Sequence, residues 1–236
     1  MVTKGKLFLI PNVISESTEE AVIPIGVKTV LKNLSYFLAE DIRTARRYLS
    51  SLNIYPSIEE LQFKVLNKDT SSQELSELML PITEGHDVGI LSESGCPGIA
   101  DPGALAVEYA HRQNIRVVPL VGPSSILLAL IASGLNGQQF AFHGYLPIDA
   151  KEAHQKIKEL EQESRAKNQT QIFIETPYRN NSVYNYFLKS LQASTRLTVA
   201  LALTGKNETV LNKTINQWKK ANVNWPKSPA VFLFLA

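Results

Sequence analysis

The first half of this chain is most constrained by an alternation. Short apolar runs stop at proline, glycine or acidic turns, and longer stretches with helical spacing separate them. Leu7 to Ile10 ends at Pro11, Ser35 to Ala39 runs into Glu40-Asp41, and Leu61 to Leu66 alternates apolar and polar. Val88 to Leu91 and Ile115 to Leu120 complete the set. Runs of this length have the dimensions of strands. Between them, Asp41 to Leu52, Ser71 to Glu84 and Gly103 to Gln113 read as helices; Leu75, Leu78, Met79 and Ile82 mark the apolar face of the second. Strands alternating with helices predict a mostly parallel sheet with helices on both faces. Such sheets take their ligands at the carboxyl ends of the strands.

After Leu120 the pattern changes. Val121-Gly122-Pro123-Ser124-Ser125 reads as a turn opening a helix that ends at Ser133, before Gly134. Phe140 to Tyr145, Gln171 to Glu175, Thr195 to Leu203 and Ala230 to Leu235 read as strands. Lys151 to Lys167 and Val183 to Leu191 read as helices, and Trp218 lies in a basic helix. More strands per helix predict a second, mixed α/β domain. The division is therefore expected at 1–120 and 121–236.

Composition excludes several classes. With 44% hydrophobic residues in 236 and a net charge of +2, intrinsic disorder is excluded. Cys96 is the only cysteine, which excludes a disulfide scaffold and points to a reducing compartment. No apolar run reaches membrane-spanning length, and the first residues are too short for a secretory signal, so a cytoplasmic protein is expected. His86, His111, His143 and His154 show no metal-ligand spacing, and no metal is expected. Charge is unevenly spread: Glu59 to Glu93 carries eight acidic residues and two lysines, and Thr204 to Ser228 carries five lysines and one glutamate. Lys28 to Arg47 holds five basic residues against two acidic ones. These basic stretches suit a polyanion or form ordinary solvated helix faces.

The sharpest local feature is Ser92-Glu93-Ser94-Gly95-Cys96-Pro97-Gly98-Ile99-Ala100-Asp101-Pro102-Gly103, set between a strand and a helix. Its glycines let backbone approach a ligand, yet it matches neither a dinucleotide fingerprint nor a phosphate loop. Asp101, placed before Pro102, favours a helix-start role over a ligand role.

This segment resembles the S-D-A-G-x-P-x-x-x-D-P-G signature of the tetrapyrrole methylase superfamily. Ala39-Glu40-Asp41-Ile42-Arg43 resembles that family's A-E-D-T-R. Arg116 to Ser124 resembles R-V-V-P-L-P-G-P-S, Phe140 to Pro147 resembles F-x-x-x-G-F-L-P, and Ile172 to Arg179 resembles I-F-Y-E-S-P-H-R. The similarity covers nearly the whole chain and is closest to the branch that methylates a ribose 2′-hydroxyl of 16S ribosomal RNA. The chain departs from the family at Pro11 to Thr18, where G-T-P-I-G-N-L is usual, at Ile42 for threonine, at Tyr178 for histidine, and at Leu203-Thr204-Gly205-Lys206 for L-T-K.

The resemblance implies a two-domain fold, S-adenosylmethionine as methyl donor, small-subunit RNA as partner, and a homodimer. It implies a donor site in a cleft between the domains, formed by Ser94, Gly95, Cys96, Pro97, Gly122, Pro123, Ser124, Ser125, Thr176 and Thr204. Methyl transfer from a sulfonium needs alignment and exclusion of water rather than a metal. A hydroxyl acceptor benefits from a base. Glu40, Asp41 and Glu175 are the candidates, each following a strand; alternatively Glu40 or Asp41 pairs with Arg43 and holds a loop. Arg43, Arg179 and Lys206, with Arg46 and Arg47, are candidates for RNA phosphates, the last two otherwise facing solvent. Cys96 is not expected to act as a nucleophile. Tyr178, Tyr184 and Tyr186 would stack bases or serve as core and surface filler. Two other readings stand: a methyltransferase acting on a tetrapyrrole or other small molecule, and a cofactor-binding RNA module without catalysis.

Overall fold

A computed structural model describes residues 3–221 and 223–236. It divides into two compact units, with the break between Ser124 and Ser125.

In the first unit β1 (Lys6–Ile10) is followed by the short helices α1 (Glu19–Val22) and α2 (Ile25–Leu31). Next come β2 (Tyr36–Ala39), α3 (Ile42–Ser51), β3 (Gln62–Val65), α4 (Ser72–Leu78) and α5 (Leu80–Thr83). β4 (Val88–Leu91), α6 (Gly103–Arg112) and β5 (Arg116–Pro119) complete it. The strand order is β3-β2-β4-β1-β5, and every pairing is parallel. Strand alternation splits the core. Leu7 packs with Leu38, Met79, Ile82, Ile90 and Ala106 on one face. Phe8 and Ile10 pack with Leu31, Phe37 and Leu49 on the other. A parallel sheet clad on both faces is what the alternating pattern predicts.

Two local expectations are corrected. The stretch from Ser71 to Glu84 is two helices, not one: a capping box of Ser71 and Glu74 starts α4, and the chain turns at Met79 ahead of Pro81. Pro81 has no N–H to continue the ladder. The region after Pro11 contains α1 and α2, which the mixed periodicity did not reveal.

The second unit opens with α7 (Ser125–Ser133), β6 (Phe140–Phe142), α8 (Ala150–Lys167), β7 (Thr170–Glu175) and α9 (Asn180–Ser190). It continues through β8 (Arg196–Leu201), β9 (Thr209–Thr214), α10 (Ile215–Lys220) and β10 (Ala230–Leu235). The order is β6-β7-β10-β8-β9. Only the β6–β7 pair is parallel; β10 is antiparallel to both neighbours and β9 to β8. The sheet is mixed, as expected. All six residues of β10 are buried. Phe232 and Phe234 pack with Phe173, Phe187 and Trp218, while α7 covers the sheet near β9 and β10. Asn212 donates to the Ser133 carbonyl at 2.7 Å, tying α7 to β9. β9 itself was not foreseen. Its Thr-Val-Leu-Asn-Lys-Thr sequence is that of a polar edge strand.

Candidate active site

Parallel pairing puts the carboxyl ends of β1, β2, β4 and β5 on one edge of the first sheet. Asn12, leaving β1, is only 4% exposed. Its backbone N–H donates to the Gly95 carbonyl at 2.8 Å. Its side-chain amide donates to the Ser92 and Glu93 carbonyls at 3.0 and 3.1 Å, and its Oδ1 accepts from the Val13 N–H at 2.8 Å. One buried amide thus joins the β1 loop to the β4 turn. A buried polar group fully matched in this way holds a unique loop geometry. The sequence reading placed Asn12 in a divergent loop and gave it no role; nothing in its spacing marks it.

Within the β4 turn Gly95 has φ +69°, the left-handed region where glycine avoids a side-chain clash. Asp101 Oδ1 accepts from the Gly98 N–H at 2.6 Å and the Gly103 N–H at 2.9 Å, so this carboxylate holds the turn against the start of α6. The Cys96 thiol faces the Pro123 carbonyl at 3.4 Å. Burial, with the Asp101 charge second, pushes that thiol up in pKa. A thiol kept protonated is a poor nucleophile. At Gly122 an added Cβ would fall 2.1 Å from the Pro11 Cβ. The β5 loop therefore lies directly on the β1 loop. Ser94 to Pro97 and Gly122 to Ser124 thus lie against each other as one cradle of loops.

The same edge carries acid groups. Asp41 Oδ1 accepts from the Thr44 N–H at 2.5 Å and caps α3. That bond is the main cause holding its carboxyl below the usual range. Glu40 is exposed and makes no hydrogen bond or ion pair among the described residues. Arg43 is exposed on the first turn of α3. Glu93 is a third carboxylate that the sequence reading quoted but did not select. Desolvation, then the charges of Glu40 and Asp41, push it up. The signal was available, since Glu93 follows an apolar strand just as Glu40 does.

In the second unit β7 and β8 are both antiparallel to β10, so their carboxyl ends share an edge. Glu175 is 5% exposed. Its Oε1 accepts from the Thr176 N–H at 2.7 Å and the Thr176 hydroxyl at 3.3 Å. Its Oε2 lies 3.5 Å from Arg179 Nη1 and has no hydrogen-bond partner. Arg179 donates to the Leu146 and Pro147 carbonyls at 3.3 and 2.9 Å, so its guanidinium fork is engaged within the unit. Thr204 has φ +68°, strained for a β-branched residue. Its N–H donates to Glu208 at 2.6 Å, while its hydroxyl is buried without a partner. Lys206 is exposed in the same loop, and Ser125 opens α7.

The structure therefore gathers Glu40, Asp41, Arg43, Ser94 to Pro97 and Gly122 to Ser124 at one sheet edge. It gathers Glu175, Thr176, Arg179, Thr204 and Lys206 at the corresponding edge of the other sheet. Strain and unmatched buried oxygens concentrate at functional positions. Glu175 Oε2 and Thr204 Oγ1 are two of the buried side-chain atoms without a hydrogen-bond partner among the described residues, the others being Asn180 Oδ1, Tyr184 Oη, Thr198 Oγ1 and Trp225 Nε1.

Of the tyrosines, Tyr184 is 3% exposed and meets Trp218 and Trp225 edge-on, which makes it core. Tyr178 is 82% exposed.

Comparison with known proteins adds the following. The model for Tetrapyrrole (Corrin/Porphyrin) Methylases matches residues 24–218. The chain is 28% identical over 234 residues to a Ribosomal RNA small subunit methyltransferase I of Escherichia coli O157:H7, covering 98% of this chain and 78% of that one. It is 32% identical over 187 residues to the protein of the same name from Xylella fastidiosa, covering 79% and 65%. Among solved structures, the methyltransferase CobJ superposes with TM-score 0.62 at 14% identity, covering 98% of this chain and 94% of that one. Uroporphyrin-III C-methyltransferase from Thermus thermophilus, solved with S-adenosyl homocysteine, gives 0.58 at 15% identity, covering 98% and 97%.

Proposed function

We infer the activity from one premise: this chain belongs to the tetrapyrrole (corrin/porphyrin) methylase family. It is an S-adenosylmethionine-dependent methyltransferase. Its acceptor is small-subunit ribosomal RNA, at a ribose 2′-hydroxyl. The observation that carries the acceptor is similarity along 98% of the chain to a ribosomal RNA small subunit methyltransferase I. The protein works in the cytoplasm as a homodimer.

When bound, S-adenosylmethionine supplies a methyl group already activated on a sulfonium. The chain has to bind, align and exclude water. The backbone of Ser94 to Pro97 and Gly122 to Ser124 holds the donor. Because Asn12 and the Gly122–Pro11 packing lock these loops together, the cradle exists before the donor arrives. A loop set in this way costs less to order on binding.

The hydroxyl proton goes to a carboxylate oxygen. Among Glu40, Asp41 and Glu175, Asp41 already caps α3 and Glu175 is fixed by Thr176. Glu40 is the one whose oxygens are uncommitted, and Glu93 beside it keeps the local field negative. Arg43 and Lys206 contact the RNA, while Arg179 acts through the loop after β6.

The test is transfer of tritiated methyl from S-adenosylmethionine to small ribosomal subunits from cells lacking this protein. Mass spectrometry then places the label. Label on a ribose oxygen is expected. Label on a tetrapyrrole and none on RNA replaces the acceptor. No label with intact donor binding leaves a binding module.

A further inference from the structure

We propose that the groove between α3 and the loop from Asn53 to Glu59 binds the phosphodiester backbone of the RNA acceptor. The proposal rests on the RNA reading above and extends it to a second surface. Helix α3 buries Ala45, Tyr48 and Leu49, and the Tyr48 hydroxyl donates to the Pro11 carbonyl at 2.7 Å. Its opposite face therefore has a fixed orientation. That face carries Arg43, Arg46, Arg47 and Ser50, all exposed. Spacing of three and four residues puts the arginines on one side of the helix.

Arg46, Arg47 and Ser50 form one wall of an open groove of about 500 Å³, facing Asn53, Tyr55 and Glu59. The far wall is anchored. The Tyr55 hydroxyl donates to the Leu31 carbonyl, and the Tyr55 ring meets Phe37 edge-on. Asn53, with φ +52°, turns the chain out of α3. Arg46 rests its guanidinium 5.3 Å from the centre of the Phe63 ring. Among the described residues neither Arg46 nor Arg47 forms a salt bridge. The groove's single carboxylate, Glu59, already accepts from the Ser57 hydroxyl at 2.7 Å. Two guanidinium forks against one committed carboxylate, with Ser50 and Asn53 as further donors, match phosphate oxygens.

Placement favours a polyanion over a free phosphate. α3 begins directly after Glu40-Asp41, at the edge assigned to the reaction. At 1.5 Å per residue, Arg46 lies about 6 Å along the helix from Ile42 and Ser50 about 12 Å. Arg43 continues the row toward the edge. A strand whose ribose sits at the end of β2 can lay neighbouring phosphates along this line. Such contacts set register without reading sequence.

The experiment compares the wild-type chain with Arg46→Glu/Arg47→Glu and with Arg46→Lys/Arg47→Lys. Fluorescence anisotropy with a small-subunit RNA fragment is read at several salt concentrations. Affinity for S-adenosyl homocysteine reports folding of the donor site. Charge reversal is expected to weaken RNA binding more than tenfold and raise the KM for RNA, with donor-product affinity unchanged. Loss of two single-strand phosphate contacts makes the salt slope shallower by about 1.4. The lysine pair should recover part of the affinity. Wild-type affinity and slope in the reversed variant overturn the groove while leaving methylation of RNA standing. Competition by inorganic phosphate or an acidic peptide at matched charge, as strong as by RNA, also overturns it. A wild-type chain that neither binds nor methylates the RNA removes both readings.

Discussion

At the residue scale, the decisive positions hold backbone to backbone. Gly122 is the clearest. Any side chain there collides with Pro11, so Gly122→Ala must part the β5 and β1 loops. Overpacking of this kind costs about 2 kcal/mol. We expect denaturant melts to show that loss and titration calorimetry to show weaker binding of S-adenosyl homocysteine by tenfold or more. Unchanged binding would mean the two loops do not shape the donor site. Gly122 was legible as part of a turn motif. The reason it must be glycine was not, because Pro11 lies far from it in sequence and meets it only when β1 pairs with β5. Asn12 was illegible for the same reason, since all three of its tertiary acceptors or donors depend on the β4 turn arriving beside it. Asp101 was readable, because its partners Gly98 and Gly103 are local.

At the element scale, sequence reasoning succeeded where capping and burial agree. α8 was expected from Lys151 to Lys167 and spans Ala150–Lys167, with Asp149 accepting from the Glu152 N–H and Asn168 closing it at φ +49°. It missed β9, whose polar strand is stabilised by pairing with β8 rather than by its own pattern. Arg179 shows what an element needs from beyond itself. It links the start of α9 to the loop after β6 and faces the buried Glu175. Arg179→Ala leaves that carboxylate without its cation. With the arginine partly exposed, we expect a loss of about 2–3 kcal/mol in equilibrium unfolding. Arg179→Lys should restore less than half, since one ammonium cannot span both carbonyls. A neutral Arg179→Ala would show that these contacts do not stabilise the unit.

At the scale of the whole molecule, the chain is two α/β units that bring their loops to sheet edges. Among the described residues no helix is long and apolar enough to cross a membrane. The proposed homodimer has a direct check: sedimentation equilibrium at micromolar concentration should return about twice the 26.2 kDa of one chain. A single-chain mass throughout removes it. By its sequence the basic stretch from Thr204 to Ser228 suits a polyanion or forms ordinary solvated helix faces. Part of it instead covers aromatic rings, with Lys213 5.1 Å from the centre of Trp218 and Lys227 5.3 Å from that of Tyr178. Net charge along a sequence does not say which cations are spent on neighbours.

The amino-acid order alone determined the class of fold, the parallel first sheet, the mixed second one and the turns where chemistry gathers. Those follow from local periodicity and short-range turn geometry, which a linear pattern carries. Only the tertiary structure decided which of those groups remain available. Asp41 is used as a cap, Glu175 is half satisfied, Arg179 is engaged by carbonyls, and Arg46 and Arg47 are left facing an open groove. Such outcomes depend on which strands become neighbours, and partners distant in the chain are chosen only when the sheets assemble.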